Sequence, residues 1–241
     1  MKKVVIVGGV AGGASCAARL RRLEEDAQIV LLERGPYISY ANCGLPYHVG
    51  GAIKTRSALL LQTPEAMQKK YRVDVRVNQE VTAIDRENHL VTVRRADSGE
   101  TYTESYDVLV LSTGSSPLRP AIRGIDSPRI QTLWTVPDAE RIRALATDGS
   151  VHSAAVIGGG FIGLEMAENL HAAGLRVSIL EAADQVMAPL DPEMALLLQE
   201  NILQNGTALY LGDGVSAFAD NGSDVTVTLK SGRTVTADLV V

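Results

Sequence analysis

The chain writes one pattern twice, and this repeat constrains its fold more than any other feature. Val4 to Val7 is a short run of β-branched apolar residues. It leads into the glycine-rich turn Gly8-Gly9-Val10-Ala11-Gly12-Gly13, a helical rhythm over Ala14 to Glu24, and a second apolar run, Ile29 to Leu32, ending at Glu33. The same order returns as Ala154 to Ile157, Gly158 to Gly163, Leu164 to Ala173 and Val177 to Leu180, ending at Glu181. Apolar runs without alternation suit parallel strands buried on both faces. Each copy therefore predicts a βαβ unit.

The correspondence continues beyond these units. Glu80 to Arg86, Leu90 to Arg95 and Thr101 to Thr103 read as a β-meander, followed by an apolar strand from Asp107 to Leu111. The second copy has Val215 to Asp220, a turn at Asn221-Gly222, Val225 to Lys230, a turn at Ser231-Gly232, and Asp238 to Val241. Asp107-Val108-Leu109-Val110 thus matches Asp238-Leu239-Val240-Val241. Between the copies, Ser115 to Pro128 is rich in Pro, Arg and turn residues, and Trp134 to Ala146 reads as a helix capped by Thr135. At about 100–200 residues per domain, a 241-residue chain suits two domains, here 1–116 and 117–241.

Gly158-x-Gly160-x-x-Gly163 follows a strand, opens a helix and has Glu181 about twenty residues further on, the context in which a glycine fingerprint signals a dinucleotide. The first glycine permits the tight turn, the second lets a pyrophosphate approach the helix N-terminus, and the third lets helix and strand pack closely. The acid accepts hydrogen bonds from a ribose. The N-terminal fingerprint is less regular: Gly8 and Gly13 hold the first and third places, Val10 the middle one, and Glu33 is the acid. Val10 narrows the approach to the phosphates. Two dinucleotide sites in one chain suggest electron transfer between a held and a mobile carrier, FAD and NAD(P)H. Glu181 would repel a 2′-phosphate, and Ala182 and Ala183 offer no cation, which predicts NADH over NADPH.

Composition removes several alternatives. The net charge of −5 argues against nucleic acid as the main partner, and aromatic residues make up only 4%. Two cysteines, Cys16 and Cys43, are too few for a disulfide scaffold and suit a reducing compartment. Lys2 and Lys3 before an apolar stretch imitate a signal peptide, but Gly8, Gly9, Gly12 and Gly13 interrupt it. No run of 18 apolar residues predicts a membrane span. His152 and His171 lack ligand-like neighbours, so no metal site is expected. The reading is a cytoplasmic α/β protein with no nucleic-acid or membrane partner.

Cys43 lies in Ser39-Tyr40-Ala41-Asn42-Cys43-Gly44-Leu45-Pro46-Tyr47, a Gly/Pro-containing segment at an expected helix start. A cysteine so placed can act as a nucleophile, although an isolated cysteine is more often a buried structural thiol. Positions five residues away hold Ile38 and His48, so an internal CxxxxC disulfide is excluded. These residues carry a resemblance to the N-terminal half of the pyridine nucleotide-disulfide oxidoreductases. The segment Ser39 to Cys43 resembles the SFxxC motif of the coenzyme A-disulfide reductases and related persulfide reductases, with Tyr40 in place of the usual Phe. The opening turn is similar to theirs, which makes Val10 a family trait. A histidine usual in that turn of NADH peroxidases and oxidases is absent.

The resemblance implies two doubly wound, Rossmann-like domains, FAD first and NAD second, each with a β-meander. It implies FAD contacts at Gly8, Gly12, Gly13, Glu33, Arg34, Val81, Thr113 and Gly114, and nicotinamide-nucleotide contacts at Gly158, Gly160, Phe161, Gly163, Glu165 and Glu181. Cys43 would sit beside the flavin and form a mixed disulfide with substrate, with Ser39 and Asn42 near the sulfur. Ser15, Arg19 and Arg22 share one helix face and would hold the anionic end of coenzyme A. The Lys69 to Arg72 run reads as a solvated helix end, with an addition to a coenzyme A phosphate site as the lesser alternative. The expected substrate is coenzyme A disulfide, a coenzyme A persulfide or a related small disulfide. Alternatives are an NADH oxidase or peroxidase using a Cys43 sulfenic acid, and a non-catalytic redox-sensing module. Because the second copy stops where the first runs into Ser112-Thr113-Gly114, the chain is also expected to be part of a longer, homodimeric subunit. That subunit would add a further FAD strand and a dimerisation domain.

Overall fold

The computed structural model describes residues 2–241. In chain order the regular elements are β1 (Lys3–Val7), α1 (Ala11–Leu23), β2 (Gln28–Leu32), α2 (Leu45–Val49), α3 (Pro64–Tyr71), β3 (Val73–Arg76), β4 (Gln79–Asp85), β5 (Leu90–Arg95), β6 (Thr101–Ser105) and β7 (Val108–Leu111). There follow α4 (Val136–Ala146), β8 (Ser153–Ile157), α5 (Phe161–Ala172), β9 (Arg176–Leu180), α6 (Pro192–Gln204), β10 (Ala208–Tyr210), β11 (Val215–Asp220), β12 (Val225–Leu229), β13 (Thr234–Ala237) and β14 (Leu239–Val240). Contacts divide the chain into two compact units. One takes the chain up to Ala41 with Leu60–Ser116, and the other Asn42–Leu59 with Pro117–Val241. Residues 42–59, inside the range expected for the first domain, thus pack with the second unit.

In the first unit a parallel sheet runs β3-β2-β1-β7, and an antiparallel meander runs β4-β5-β6. Successive residues of β1 serve opposite faces. Val4 and Ile6 join Ala17, Ile29, Leu31 and Met67 on the side of α1 and α3, while Val5 and Val7 join Val30, Leu32, Val91 and Val93 under the meander. Both faces being covered, the strands carry no polar alternation. The second unit repeats this order, with a parallel sheet β10-β9-β8-β14 and a meander β11-β12-β13. Phe218, Val225, Val227 and Leu229 of the meander pack on Ala155, Leu180 and Val240 of the sheet.

The repeat extends to single hydrogen bonds. Asp107 Oδ2 accepts from Lys3 N at 2.6 Å, and Asp238 Oδ2 accepts from His152 N and Ser153 N at 2.8 and 2.9 Å. Each carboxylate thus ties the last strand of its sheet to the start of the first. Thr135 caps α4 in a reciprocal capping box with Asp138. Four elements escaped the sequence reading: β3, α6, β10 and β13. In β3 only Val73 is buried, and β10 is three half-buried residues, so neither shows an apolar run. The second meander's third strand, Thr234–Ala237, alternates exposed and buried residues through small side chains. Among the described residues, no helix is long and apolar enough to cross a membrane.

Glu104 on β6 ion-pairs with both Lys3 on β1 and Arg76 on β3, joining meander to sheet. Burial pushes its pKa up, but the two cations hold it below the ordinary carboxylate range. A depressed folded pKa gives stabilisation that is present above the unfolded value, about 4.3, and lost as pH falls through the lower folded value. Glu104→Gln should therefore cost about 2 kcal/mol at pH 7 and flatten the acid limb of a melting-temperature-against-pH profile. An unchanged acid limb would remove Glu104 as a source of acid sensitivity.

Candidate functional site

Both glycine turns have the same geometry. Gly8 has φ +98° and Gly158 has φ +108°, a left-handed backbone that side chains rarely tolerate. At the third fingerprint position the constraint is space. A Cβ on Gly13 would lie 1.7 Å from Gly8 O, and one on Gly163 would lie 2.0 Å from Gly158 O. Both helices start earlier than expected, inside the glycine turns, because these glycines let the first helical turn lie directly against the strand end. Val10 has φ −84°, which a side chain accepts.

Neither α1 nor α5 has a side-chain cap at its N-terminus, and neither carries an acidic residue in its first turn. Their first backbone N–H groups and the positive end of each helix dipole thus suit an anion. The two acids are held alike. Glu33 accepts from Gly9 N and Gly35 N, both at 2.7 Å, and Glu181 accepts from Gly159 N and Ala183 N, both at 2.6 Å. A carboxylate offers about four acceptor sites, so each retains capacity for ribose hydroxyls. Donor set, dipole and free acceptors all fit a dinucleotide in each unit.

In the first unit the loop after β7 closes on the fingerprint. Ser112 N donates to Val7 O at 2.8 Å, and Ser112 O would lie 2.1 Å from a Gly8 Cβ. Thr113 and Gly114 follow, both exposed. Val81 packs at the edge of the meander core, while Arg34 is exposed. Ser39 adopts a left-handed φ of +44°, held by its N–H to Gly9 O at 3.0 Å and by Leu61 N donating to its carbonyl at 2.9 Å. Such strain at a non-glycine residue persists where the surroundings enforce it. Ile38 beside it packs on Gly9, where a Cβ would come within 2.7 Å.

Ser15, Arg19 and Arg22 are all exposed along α1, opposite the buried Gly13, Ala14 and Ala17. The structure brings the Lys69 to Arg72 run beside this face. Lys70 and Arg22 hydrogen-bond the Tyr71 hydroxyl, together pulling it below the ordinary tyrosine range. Arg21 donates to Tyr71 O at 2.7 Å and Arg72 O at 3.0 Å, joining α1 to the end of α3. Lys69 to Arg72 does end a helix, and it forms one cationic patch with Arg22. Cys16 is half-buried against this unit's core.

In the second unit, Phe161 opens α5 and is 68% exposed, and Glu165 lies one turn on, half-buried. Cys43 sits in the short turn Asn42–Gly44 that leads into α2, and both Asn42 and Cys43 are exposed. Here the sequence reading missed the anchors. One Arg143 nitrogen on α4 donates to His48 O at 2.9 Å and Ile53 O at 3.0 Å. A Cβ on Gly50 would lie 2.9 Å from the backbone oxygen of the buried Asn169 on α5, and Asn169 Nδ2 donates to Glu165 O at 2.8 Å. The cysteine-bearing segment is thus seated on α4 and on the helix that opens at the second fingerprint. Gly160, the middle position there, has open space where a side chain would be.

Comparison with known proteins agrees with this geometry. Residues 2–241 match the family model described as pyridine nucleotide-disulphide oxidoreductase. Coenzyme A disulfide reductase of Staphylococcus epidermidis is 34% identical over 241 residues, covering 100% of this chain and 53% of that protein. The chain therefore spans about half the length of the curated relatives it matches. The crystal structure of reduced Bacillus anthracis CoADR-RHD superposes with a TM-score of 0.96 at 48% identity, covering 99% of this chain and 43% of that one. A NAD-dependent persulfide reductase from A. fulgidus gives 0.94 at 34% identity, over 99% and 45%. With two glycine turns of one geometry and a family match along almost its entire length, the chain belongs to the pyridine nucleotide-disulphide oxidoreductases.

Proposed function

We propose that the full-length protein is an FAD-dependent NAD(P)H oxidoreductase that reduces coenzyme A disulfide, a coenzyme A persulfide or a related small disulfide through Cys43. The observation that carries this reading is the pairing of two acid-anchored, uncapped glycine turns with a single exposed cysteine on a firmly seated segment. Gly8, Gly12, Gly13, Glu33, Arg34, Val81, Thr113 and Gly114 would hold FAD, and Gly158, Gly160, Gly163 and Glu181 the nicotinamide nucleotide. FAD, when bound, supplies the two-electron relay between nicotinamide and sulfur.

The chain's own part is to bind, orient and hold charge. The Cys43 thiolate attacks a substrate sulfur, forms a mixed disulfide and releases one thiolate. Two electrons and a proton then free the second thiol, so one NAD(P)H reduces one disulfide to two thiols. Ser39 and Asn42 would contact the substrate near the sulfur. Phe161, exposed at the opening of α5, would lie in the nicotinamide entrance, with Glu165 close to the flavin side of that pocket. Glu181 makes NADH the preferred donor. Arg19, Arg22, Lys70 and Tyr71 receive the anionic nucleotide end of coenzyme A. We read the full-length protein as a cytoplasmic homodimer with no nucleic-acid or membrane partner.

The visible spectrum of the purified full-length protein tests this reading. Flavin absorbance should be present, bleach on anaerobic addition of NADH, and return on addition of coenzyme A disulfide. A colourless protein, or reduced flavin that peroxide restores and disulfides do not, would overturn it. Arg19→Ala combined with Arg22→Ala should raise KM for coenzyme A disulfide about tenfold or more, since each arginine can pair with phosphate. KM for a small neutral disulfide should stay within about twofold, because no phosphate contact is at stake. Equal changes with both substrates would return that helix face to plain solvation.

A further inference from the structure

The internal repeat permits a comparison of the two adenosine ends, residue against residue. In the first unit the strand pair β4–β5 places Glu80 opposite Arg94, and the two side chains form an ion pair. In the second unit the matching positions are Gly214 and Lys230, with Lys230 N donating to Gly214 O at 2.8 Å. The cation is kept, but its carboxylate is replaced by a hydrogen atom. Among the described residues no carboxylate pairs with Lys230, whereas the neighbouring Arg233 is taken up by Asp213 at 2.9 Å.

Gly214 is also where the hairpin meets the loop after Glu181. A Cβ there would lie 3.2 Å from Ala182 Cβ and 3.5 Å from Lys230 Cε. Gly214 has no left-handed φ, so it is the crowding that suits glycine here. Gly214 is thus flanked both by the aliphatic stem of Lys230 and by Ala182, the residue directly after the acid read as ribose-binding. Sequence alone shows Ala182 and Ala183 there and no cation. The fold brings one in directly after β12.

We infer that Lys230 faces the 2′-phosphate of NADPH, so that the second site accepts NADPH as a further donor beside NADH. This rests on reading the second fingerprint as a nicotinamide-nucleotide site. Glu181 still opposes a 2′-phosphate, but both of its oxygens already accept backbone N–H groups, and Lys230 brings a positive charge without a carboxylate partner to Gly214, which Ala182 also approaches. FAD carries no 2′-phosphate, and in the first unit the equivalent Arg94 is neutralised by Glu80. The difference between the copies follows the difference between their nucleotides.

The test uses the full-length flavoprotein and its Lys230→Ala and Lys230→Arg variants. Initial rates give kcat/KM for NADPH and NADH, and 2′,5′-ADP and 5′-ADP serve as competitive probes. Lys230→Ala should lower the NADPH-to-NADH efficiency ratio about tenfold, the effect of one charge-assisted hydrogen bond. It should weaken inhibition by 2′,5′-ADP relative to 5′-ADP by a similar factor, and Lys230→Arg should restore both. An unchanged ratio with unchanged 2′,5′-ADP inhibition would overturn the role of Lys230 alone. A wild-type protein that binds neither probe would overturn the nucleotide site itself, and this inference with it.

Discussion

Cys43→Ser should abolish disulfide-dependent NADH oxidation, by on the order of 10³-fold or more, as expected when a nucleophile is removed. Flavin reduction by NADH should proceed at close to the wild-type rate. The two halves separate because the donor half needs only the two glycine turns and their acids, whereas the disulfide half needs a thiolate. A serine hydroxyl does not ionise near neutral pH and forms no disulfide. The other cysteine in the chain, Cys16, is half-buried against the first unit's core and packs beside Leu20 and Tyr71. It is not placed to meet a substrate. Stopped-flow reduction by NADH, followed by steady-state turnover with coenzyme A disulfide, measures both halves on one preparation. A variant that kept most of its disulfide turnover would show that Cys43 carries no covalent step.

What the sequence revealed and what it concealed divide along a physical line. The β1-to-Glu33 and β8-to-Glu181 stretches were legible because each is a local run of strand, glycine turn, helix and strand with strict steric demands. Asp107 and Asp238 were legible as a repeated pair, and the structure shows why the repeat includes them. Elements whose cores come from elsewhere were not legible. β3 is recognised as a strand only once β2 lies beside it, since its four residues are too few to show a period of their own. Long-range anchors were equally silent: nothing in the neighbourhood of His48 announces Arg143, and nothing near Glu181 announces Lys230.

The Gly13→Ala substitution adds one methyl group and is expected to disable the first nucleotide site. Its Cβ would sit 1.7 Å from Gly8 O and 3.2 Å from Ile6 Cγ2. Carbon–oxygen contacts settle near about 3.3–3.6 Å, so the N-terminal turn of α1 must retreat from the end of β1 by more than about 1 Å. Gly8 cannot yield in its place, because Ser112 O already closes on it from the other side. Overpacking of this kind costs about 1–3 kcal/mol. The retreat also displaces the uncapped N–H groups of α1, and a misplacement of about 1 Å can cost on the order of 10²-fold in function. Gly13→Ala should thus lower the melting temperature and leave the protein largely free of flavin, while binding of 5′-ADP at the second site persists. Gly163→Ala, whose Cβ would meet Gly158 O at 2.0 Å, should do the reverse, holding flavin but losing reduction by NADH. Gly12→Ala supplies the control for stability. Its Cβ would find only the Ser112 side chain, with Oγ at 3.3 Å, a hydroxyl that can turn aside. Differential scanning fluorimetry and flavin-to-protein absorbance ratios on the three variants separate these outcomes. A Gly13→Ala protein that kept both its flavin and its melting temperature would show that close approach of helix to strand is not what requires glycine there.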